Sequence, residues 1–352
     1  MRRGARSNPP NRFEAIHYDF EHDFADAAPA PDDDPPDPRV QYLRDPSRSI
    51  VATNDSPDVG FEASVNPYRG CAHACTYCFA RPTHEYLGLS AGLDFETKIF
   101  VKERAPELLR RALASPKWTP QVVAMSGVTD PYQPIERTLR LTRGCLEVLL
   151  EFRNPVAIIT KGRLVARDAD LLGALARLDC AAVSISVTTL DAAVHRSMEP
   201  RTPRPELRLA AIEALAKAGV PVGVLVAPVV PGLTEHELPR ILEAAARAGA
   251  TRAGYVVLRL PHGTKALVED WLARDFPDRK EKVLARVREL RGGGLYDSRW
   301  SVRQRGTGIF AEQIEQLFET GCRRAGIRND ARALSTAHFR RPETPAGQRL
   351  LF

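Results

Sequence analysis

Beyond residue 105 the chain repeats one pattern several times: an apolar run that reads as a strand, a turn with polar residues, then apolar positions spaced as on one face of a helix. The pattern predicts strands at 121–126, 156–160, 181–187, 220–227 and 254–260. Helices are expected between them at 106–114, 139–152, 168–178, 206–218 and 238–248. Gly219 and Gly249 stand where helix C-caps belong. The strand runs are almost continuously apolar, so both faces should be buried, and single helices between them require parallel neighbours. A further strand at 61–65 makes about six β/α units, short of a closed eight-unit barrel. The fold class expected is α/β, a partial (β/α)6 barrel over 49–262.

The pattern fails at both ends. The first 40 residues include Pro29-Ala30-Pro31-Asp32-Asp33-Asp34-Pro35-Pro36-Asp37-Pro38, which has little to bury, so 1–48 is expected to be a disordered or extended arm. From Thr264 the strands stop, and helical patterns at 266–274, 280–290 and 310–325 surround a Gly- and Arg-rich stretch. Residues 263–352 therefore read as a helical C-terminal extension.

Composition narrows the setting. An apolar share of 43% with both charge signs well represented suits a soluble globular protein. Met-Arg-Arg at the start is followed by no apolar run, and no stretch reaches bilayer-spanning length, so a cytoplasmic location away from membranes is expected. Residues 1–40 hold five Arg against nine acidic side chains, leaving 45 basic and 35 acidic residues in the remainder. That surplus suits a polyanionic partner such as nucleic acid, or simply reflects an Arg-rich composition.

Three of the six cysteines lie within eight residues, in Asn66-Pro67-Tyr68-Arg69-Gly70-Cys71-Ala72-His73-Ala74-Cys75-Thr76-Tyr77-Cys78. The spacing Cys-x3-Cys-x2-Cys on a loop after a strand suits three thiolates holding three irons of a cubane cluster, with the fourth iron open to a small molecule. Two other uses compete. A zinc ion would take Cys71, Cys75 and Cys78 with His73 or His84 as fourth ligand; His73, between two ligands, would struggle to reach the same metal. Alternatively the cysteines are small buried apolar residues, against which the interleaved Arg, His, Thr and Tyr argue. Cys145, Cys180 and Cys322 are isolated and read as packed thiols.

With Tyr77 just before the third cysteine and β/α units following, the chain resembles the radical S-adenosylmethionine superfamily over about residues 61–262. Within it, the chain is similar to the branch that contains spore photoproduct lyase and DNA repair photolyase-like proteins. The carriers are Asn66 to Cys71, Ser126-Gly127-Val128-Thr129-Asp130-Pro131-Tyr132-Gln133-Pro134-Ile135-Glu136, and Glu199-Pro200-Arg201-Thr202-Pro203. The resemblance implies a four-iron four-sulfur (4Fe-4S) cluster on Cys71, Cys75 and Cys78. It also implies S-adenosylmethionine, reductively cleaved to a 5′-deoxyadenosyl radical, and a reduced flavodoxin or ferredoxin as electron donor. It would place Tyr77 near the adenine and Lys161 on the cofactor carboxylate. The branch's lyase is known for a donor cysteine just before the acidic residue at this strand end; here stand Ser126, Gly127, Val128 and Thr129. Repair of a thymine dimer does not follow.

Read from the residues, Asp130 and the hydroxyls of Ser126 and Thr129 are placed at a strand end to accept from an ammonium or to fix a substrate hydroxyl. Asp130-Pro131 also serves as a turn cap. Asp130 and Tyr132 are the catalytic candidates. Ser184 and Ser186 share one face of a strand, which suits the barrel lumen and contact with the cofactor. The Arg- and aromatic-rich stretch Arg291 to Gly306 suits base stacking and phosphate neutralisation, or a solvated loop anchored by Trp300. The ending Gln348, Arg349, Leu350, Leu351, Phe352 resembles the short peptide that docks repair proteins on the bacterial sliding clamp, or tucks into its own domain.

Overall fold

Six parallel strands carry the fold in the computed structural model, which describes residues 3–13, 39–330 and 332–342. In chain order the described strands are β1 (Gln41–Arg44), β2 (Val51–Thr53), β3 (Ala63–Val65), β4 (Tyr68–Arg69) and β5 (Lys98–Val101). After them come β6 (Val123–Met125), β7 (Val156–Thr160), β8 (Ala181–Ser186), β9 (Val222–Val229) and β10 (Arg252–Val257). The larger sheet has the order β10-β9-β8-β7-β6-β3-β2, parallel from β10 to β3 and antiparallel only at the edge strand β2. It is open, with β10 and β2 at its edges, as expected of a partial barrel.

Period-two alternation decides what each face does. Val123, Met125, Val156, Ile158, Val183, Ile185, Val222 and Val224 are buried in one core cluster with residues of the outer helices Ala105–Ala114, Leu141–Phe152, Pro205–Lys217 and Leu238–Arg247. The opposite face carries small residues in register, Ala124 beside Ala157 and Ser184 beside Gly223, which leaves the concave side open to a ligand. Ser184 and Ser186 lie on this inner face.

Several local features depart from the sequence pattern. The helix expected over 139–152 begins at Leu141 and is preceded by a separate helical turn, Glu136–Leu139, because Arg140 between them turns left-handed at φ 53°. A short helix, Ala192–Met198, went unread because seven residues display too little periodicity; it is capped by Asp191, which accepts from the amides of Ala193 and Val194. Within the expected N-terminal arm, residues 41–44 form β1 and residues 3–13 are seated against the body. Polar and backbone contacts hold that segment, so composition did not reveal it. Residues 14–38 and the terminal Gln348 to Phe352 lie outside the described residues.

The C-terminal helices do not stand apart. Phe310, Ile314, Phe318 and Cys322 of helix Ile309–Ala325 join the barrel's core cluster. Helices Thr264–Asp275 and Pro277–Leu290 contribute Val268, Trp271, Leu272, Val283 and Leu284 to a second cluster that contains Cys75 and Tyr77. Among the described residues no helix is long and apolar enough to cross a membrane.

Candidate metal centre

The loop after β3 is built to hold its backbone, leaving its three thiols free. Cys71, Cys75 and Cys78 are unpaired, with Cys71 and Cys75 buried and Cys78 half-buried. The Cys71 amide donates to Phe95 O (2.9 Å) and the Thr76 amide to Met198 O (3.0 Å), while Ala74 adopts φ 56° to turn the chain between the first two cysteines. Burial, helped by Asp130 and the sibling thiols, pushes the Cys71 thiol well above its ordinary value. Burial also raises Cys75, with Glu199 adding to it, and raises Cys78 against the opposing pull of Arg81. Metal-free, these thiols keep their protons, so loading a metal must release them.

The three motifs that are far apart in the sequence converge on this loop. From the first, Tyr68 Oη donates to Glu136 Oε2 (2.5 Å). From the second, Gln133 spans the loop: its Oε1 accepts from the Ala72 amide (3.1 Å), and its Nε2 donates to Gly70 O (3.3 Å) and Thr129 Oγ1 (3.1 Å). Thr129 Oγ1 itself donates to Gly70 O at 2.6 Å. From the third, Arg201 Nε donates to Ala72 O (3.2 Å), and the buried Glu199 carboxylate takes the Tyr77 hydroxyl on one oxygen and Arg208 on the other. Burial opposes the charge on Glu199, but Arg208, Lys161 and His195 outweigh it and hold the carboxyl at about 2.

Arg81 locks the loop from behind. Wholly buried, it donates to Cys75 O through Nε (3.0 Å) and Nη2 (2.7 Å), to Ala91 O and Gly92 O, and pairs with the equally buried Glu96. Gly70, at φ 77°, is needed where it stands, because a Cβ there would lie 2.8 Å from His84 Cε1 and 2.9 Å from Phe95 O. Gly70→Ala is expected to cost about 1–3 kcal/mol in a urea titration and to lower iron uptake; an unchanged midpoint contradicts this account of the turn.

The donor set fits a cluster better than a single ion. His84 Nε2 lies 2.9 Å from Lys98 O with its ring edge-on to Phe95 and Phe100, and His73 Nδ1 lies 3.4 Å from Asp130 Oδ2. Neither ring completes a tetrahedron with the cysteines. Among the described residues no three His, Cys, Asp or Glu side chains converge to hold one ion. Cubane ligands sit on different irons and are spaced more widely than ligands of one zinc.

Residues 65–245 match the radical SAM superfamily. The chain belongs to that superfamily. It is therefore a radical S-adenosylmethionine enzyme, of a family that works with a 4Fe-4S cluster and S-adenosylmethionine. An uncharacterized protein of Mycobacterium tuberculosis is 41% identical over 238 residues, covering 67% of this chain and 69% of the relative. One of Methanocaldococcus jannaschii is 29% identical over 178 residues, covering 51% of this chain and 64% of its own. The structure of spore photoproduct lyase complexed with dinucleoside spore photoproduct aligns at a TM-score of 0.56 over 82% of this chain and 81% of that one. Their 16% identity makes that a likeness of fold.

In this radical SAM enzyme the expected cofactor residues fall at the C-terminal ends of the parallel strands, where open α/β sheets bind ligands. Ser126 and Thr129 follow β6, Lys161 follows β7, and Ser184 and Ser186 end β8. Lys161 Nζ is 3.4 Å from Ala227 O and 5.7 Å from the centre of the Tyr77 ring. The two catalytic candidates both make internal hydrogen bonds. Asp130 accepts from the Tyr132 amide (2.8 Å), Thr160 Oγ1 (2.6 Å) and the Lys161 amide (2.8 Å), so it shapes the strand ends. Burial works against its charge, yet His73 and these donors keep its carboxyl near about 2. Tyr132 is buried with its hydroxyl 3.2 Å from Asp168 Oδ2. Gln133, Arg81 and Glu199 were missed as braces because a buried polar contact across the fold leaves no local pattern.

The site's electrostatics give a pH dependence. Burial lowers His84 to about 4 from its ordinary 6.5. Between those values the unfolded chain binds a proton that the folded chain refuses, so stability is full above about pH 6.5 and declines as pH falls toward 4. Metal-free protein is expected to lose about 3 kcal/mol across that window through this residue, and His84→Gln should flatten the slope. Urea midpoints that do not move from about pH 7 to about pH 4 contradict the assignment.

Proposed function

We propose that Cys71, Cys75 and Cys78 ligate three irons of the 4Fe-4S cluster, and that S-adenosylmethionine occupies the fourth. The observation that carries this is three free thiols on one loop, braced by distant segments at the C-terminal ends of parallel strands. Bound together, the groups supply reductive cleavage of the sulfonium and a 5′-deoxyadenosyl radical. The chain's own residues position and exclude. Gln133, Arg201 and Arg81 hold the loop backbone, and the helices around Trp271 cover Cys75 and Tyr77 from water. Lys161 supplies a cation for the methionine carboxylate, Ser126 and Thr129 line its amino end, and Ser184 and Ser186 face the nucleoside. Asp130 orients Thr160 and the Lys161 backbone. A reduced flavodoxin or ferredoxin provides the electron. Anaerobically reconstituted protein, reduced with dithionite, is expected to form 5′-deoxyadenosine from S-adenosylmethionine; iron-loaded, reduced protein that forms none sinks the reading.

For the substrate, the observation favouring nucleic acid is a basic, aromatic strap across the barrel opening. Arg291 donates to Leu258 O (3.1 Å) beyond β10, while Arg303 pairs with Asp58 between β2 and β3. On the strap Trp300 is 48% exposed with Arg303 over its ring at 4.0 Å, and the exposed Phe79, next to Cys78, has Arg259 at 4.8 Å. Exposed rings stack bases and arginines neutralise phosphates. A nucleic-acid substrate must bind with an affinity that falls steeply with salt and weakens in Trp300→Ala; salt-independent stimulation by a peptide or small molecule would replace this reading.

A further inference from the structure

Three arginines gather where the strap crosses the barrel opening: Arg259 just beyond β10, and Arg291 and Arg303 on the strap. Two of them are spent on structure. Arg303 pairs with Asp58 and donates to Ser56 Oγ, while the Asp58 carboxylate also takes the Ser301 amide and its carbonyl accepts from Gln304 Nε2 (3.1 Å). Arg291 is buried and gives Nη2 to Leu258 O (3.1 Å) and Nη1 to Val302 O, so its fork ties the strap to the strand end.

Arg259 is placed differently. Among the described residues it forms no ion pair: Asp58, whose field reaches it, is held by Arg303, and the strap's other carboxylate, Asp297, is held by Arg299. The side chain is half-buried, and its Nε is buried with no hydrogen-bond partner. Burial pulls the guanidinium below its ordinary value against the Tyr296 hydroxyl, and Arg303 adds to the pull. Burial, with Arg259 next in weight, likewise brings Arg291 down to about 10. A desolvated cation without a counter-ion costs stability, and this one stands where the barrel opens. It also stands beside the cysteine loop. Its guanidinium lies 4.8 Å from the centre of the Phe79 ring, and Phe79 follows Cys78 directly. Its neighbours Leu258 and Leu260 are buried in the same cluster as Cys75 and Tyr77, with Cys78 packed against it.

We infer that Arg259 anchors one phosphate of the substrate, a phosphodiester of a nucleic-acid strand, at the rim of the cysteine loop, while Arg291 and Arg303 hold the strap. The assignment deepens the nucleic-acid reading above and rests on it. A guanidinium matches two phosphate oxygens with two parallel N–H donors, and the phosphate supplies the negative charge that the fold withholds from Arg259. No bond is made or broken in this step. The residue fixes where the strand lies, and the exposed rings of Phe79 and Trp300 are left for its bases.

The test measures binding of a short single strand, as DNA and as RNA, to the reconstituted full chain by fluorescence anisotropy. The same strand is then used with one linkage at a time replaced by a neutral methylphosphonate. Arg259→Gln should bind the natural strand about tenfold more weakly, with a salt slope smaller by about 0.7, the share of one phosphate on a single strand. At one linkage the methylphosphonate should cost the wild type about the same tenfold and cost Arg259→Gln nothing. Tyr296→Phe, which removes the hydroxyl beside Arg259 but no charge, should keep the wild-type salt slope. Wild-type protein that binds salt-dependently and is matched by Arg259→Gln overturns the anchor and leaves the nucleic-acid reading standing. Equal losses in Arg259→Gln and Tyr296→Phe with no linkage singled out also overturn it, because they mark Arg259 as a pin for the strap. Wild-type protein that binds neither strand sinks the nucleic-acid reading and the anchor with it.

Discussion

Cys75→Ala protein, reconstituted anaerobically, is expected to lose the visible absorption of the cluster and more than about 100-fold of its 5′-deoxyadenosine formation, beyond what changes outside the ligand shell usually cost. The backbone here is held independently of the thiol, by Arg81 on Cys75 O and by the Thr76 amide on Met198 O. Alanine should therefore leave the loop in place and remove only a ligand. Cys145→Ala is the control, because that thiol is wholly buried in the barrel core on helix Leu141–Phe152, outside the cysteine loop. It should lose some stability and keep its iron. Full iron content in Cys75→Ala would remove this cysteine from the ligand set.

The largest loss of stability is expected from Arg81→Leu. The guanidinium satisfies three backbone carbonyls and neutralises Glu96, and both side chains are fully buried. Glu96 Oε2 already lacks a partner, so deleting the arginine strands a charge in the interior at a cost of about 3–5 kcal/mol. Removing the carboxylate as well, in Arg81→Leu/Glu96→Leu, should recover part of that loss while the orphaned carbonyls of Cys75, Ala91 and Gly92 keep the loop loose. A drop below about 1 kcal/mol in the single variant, read from urea unfolding, contradicts the view of Arg81 as the lock on the loop.

The barrel was legible because its signals are local. Near-continuous apolar runs at 156–160 and 181–187 became β7 and β8 almost to the residue, and the helices between them follow their apolar stripes. Boundaries slipped where backbone conformation outranks composition, as at Arg140, or where a strand is set by its neighbour's register, as β9 is by β8. The cysteine loop was legible because ligand spacing is itself a local pattern. What escaped was everything that acts across the fold: Gln133 bonding a backbone amide 61 positions away, Glu199 reaching Tyr77 across 122, and Ala5 meeting Glu96 across 91. Asp130 stood out in sequence as a strand-end acceptor or a turn cap; that it gathers donors from Tyr132, Thr160 and Lys161 and lies beside His73 is visible only in the fold.

The cluster assignment rests on three cysteines and one open iron, and electron paramagnetic resonance tests both together. The reduced, reconstituted protein should give the signal of a one-electron-reduced 4Fe-4S cluster that changes shape when S-adenosylmethionine is added, with coupling to a labelled methionine amino nitrogen. A signal indifferent to S-adenosylmethionine, or a cluster that persists when Cys71, Cys75 and Cys78 are all replaced by alanine, would contradict it.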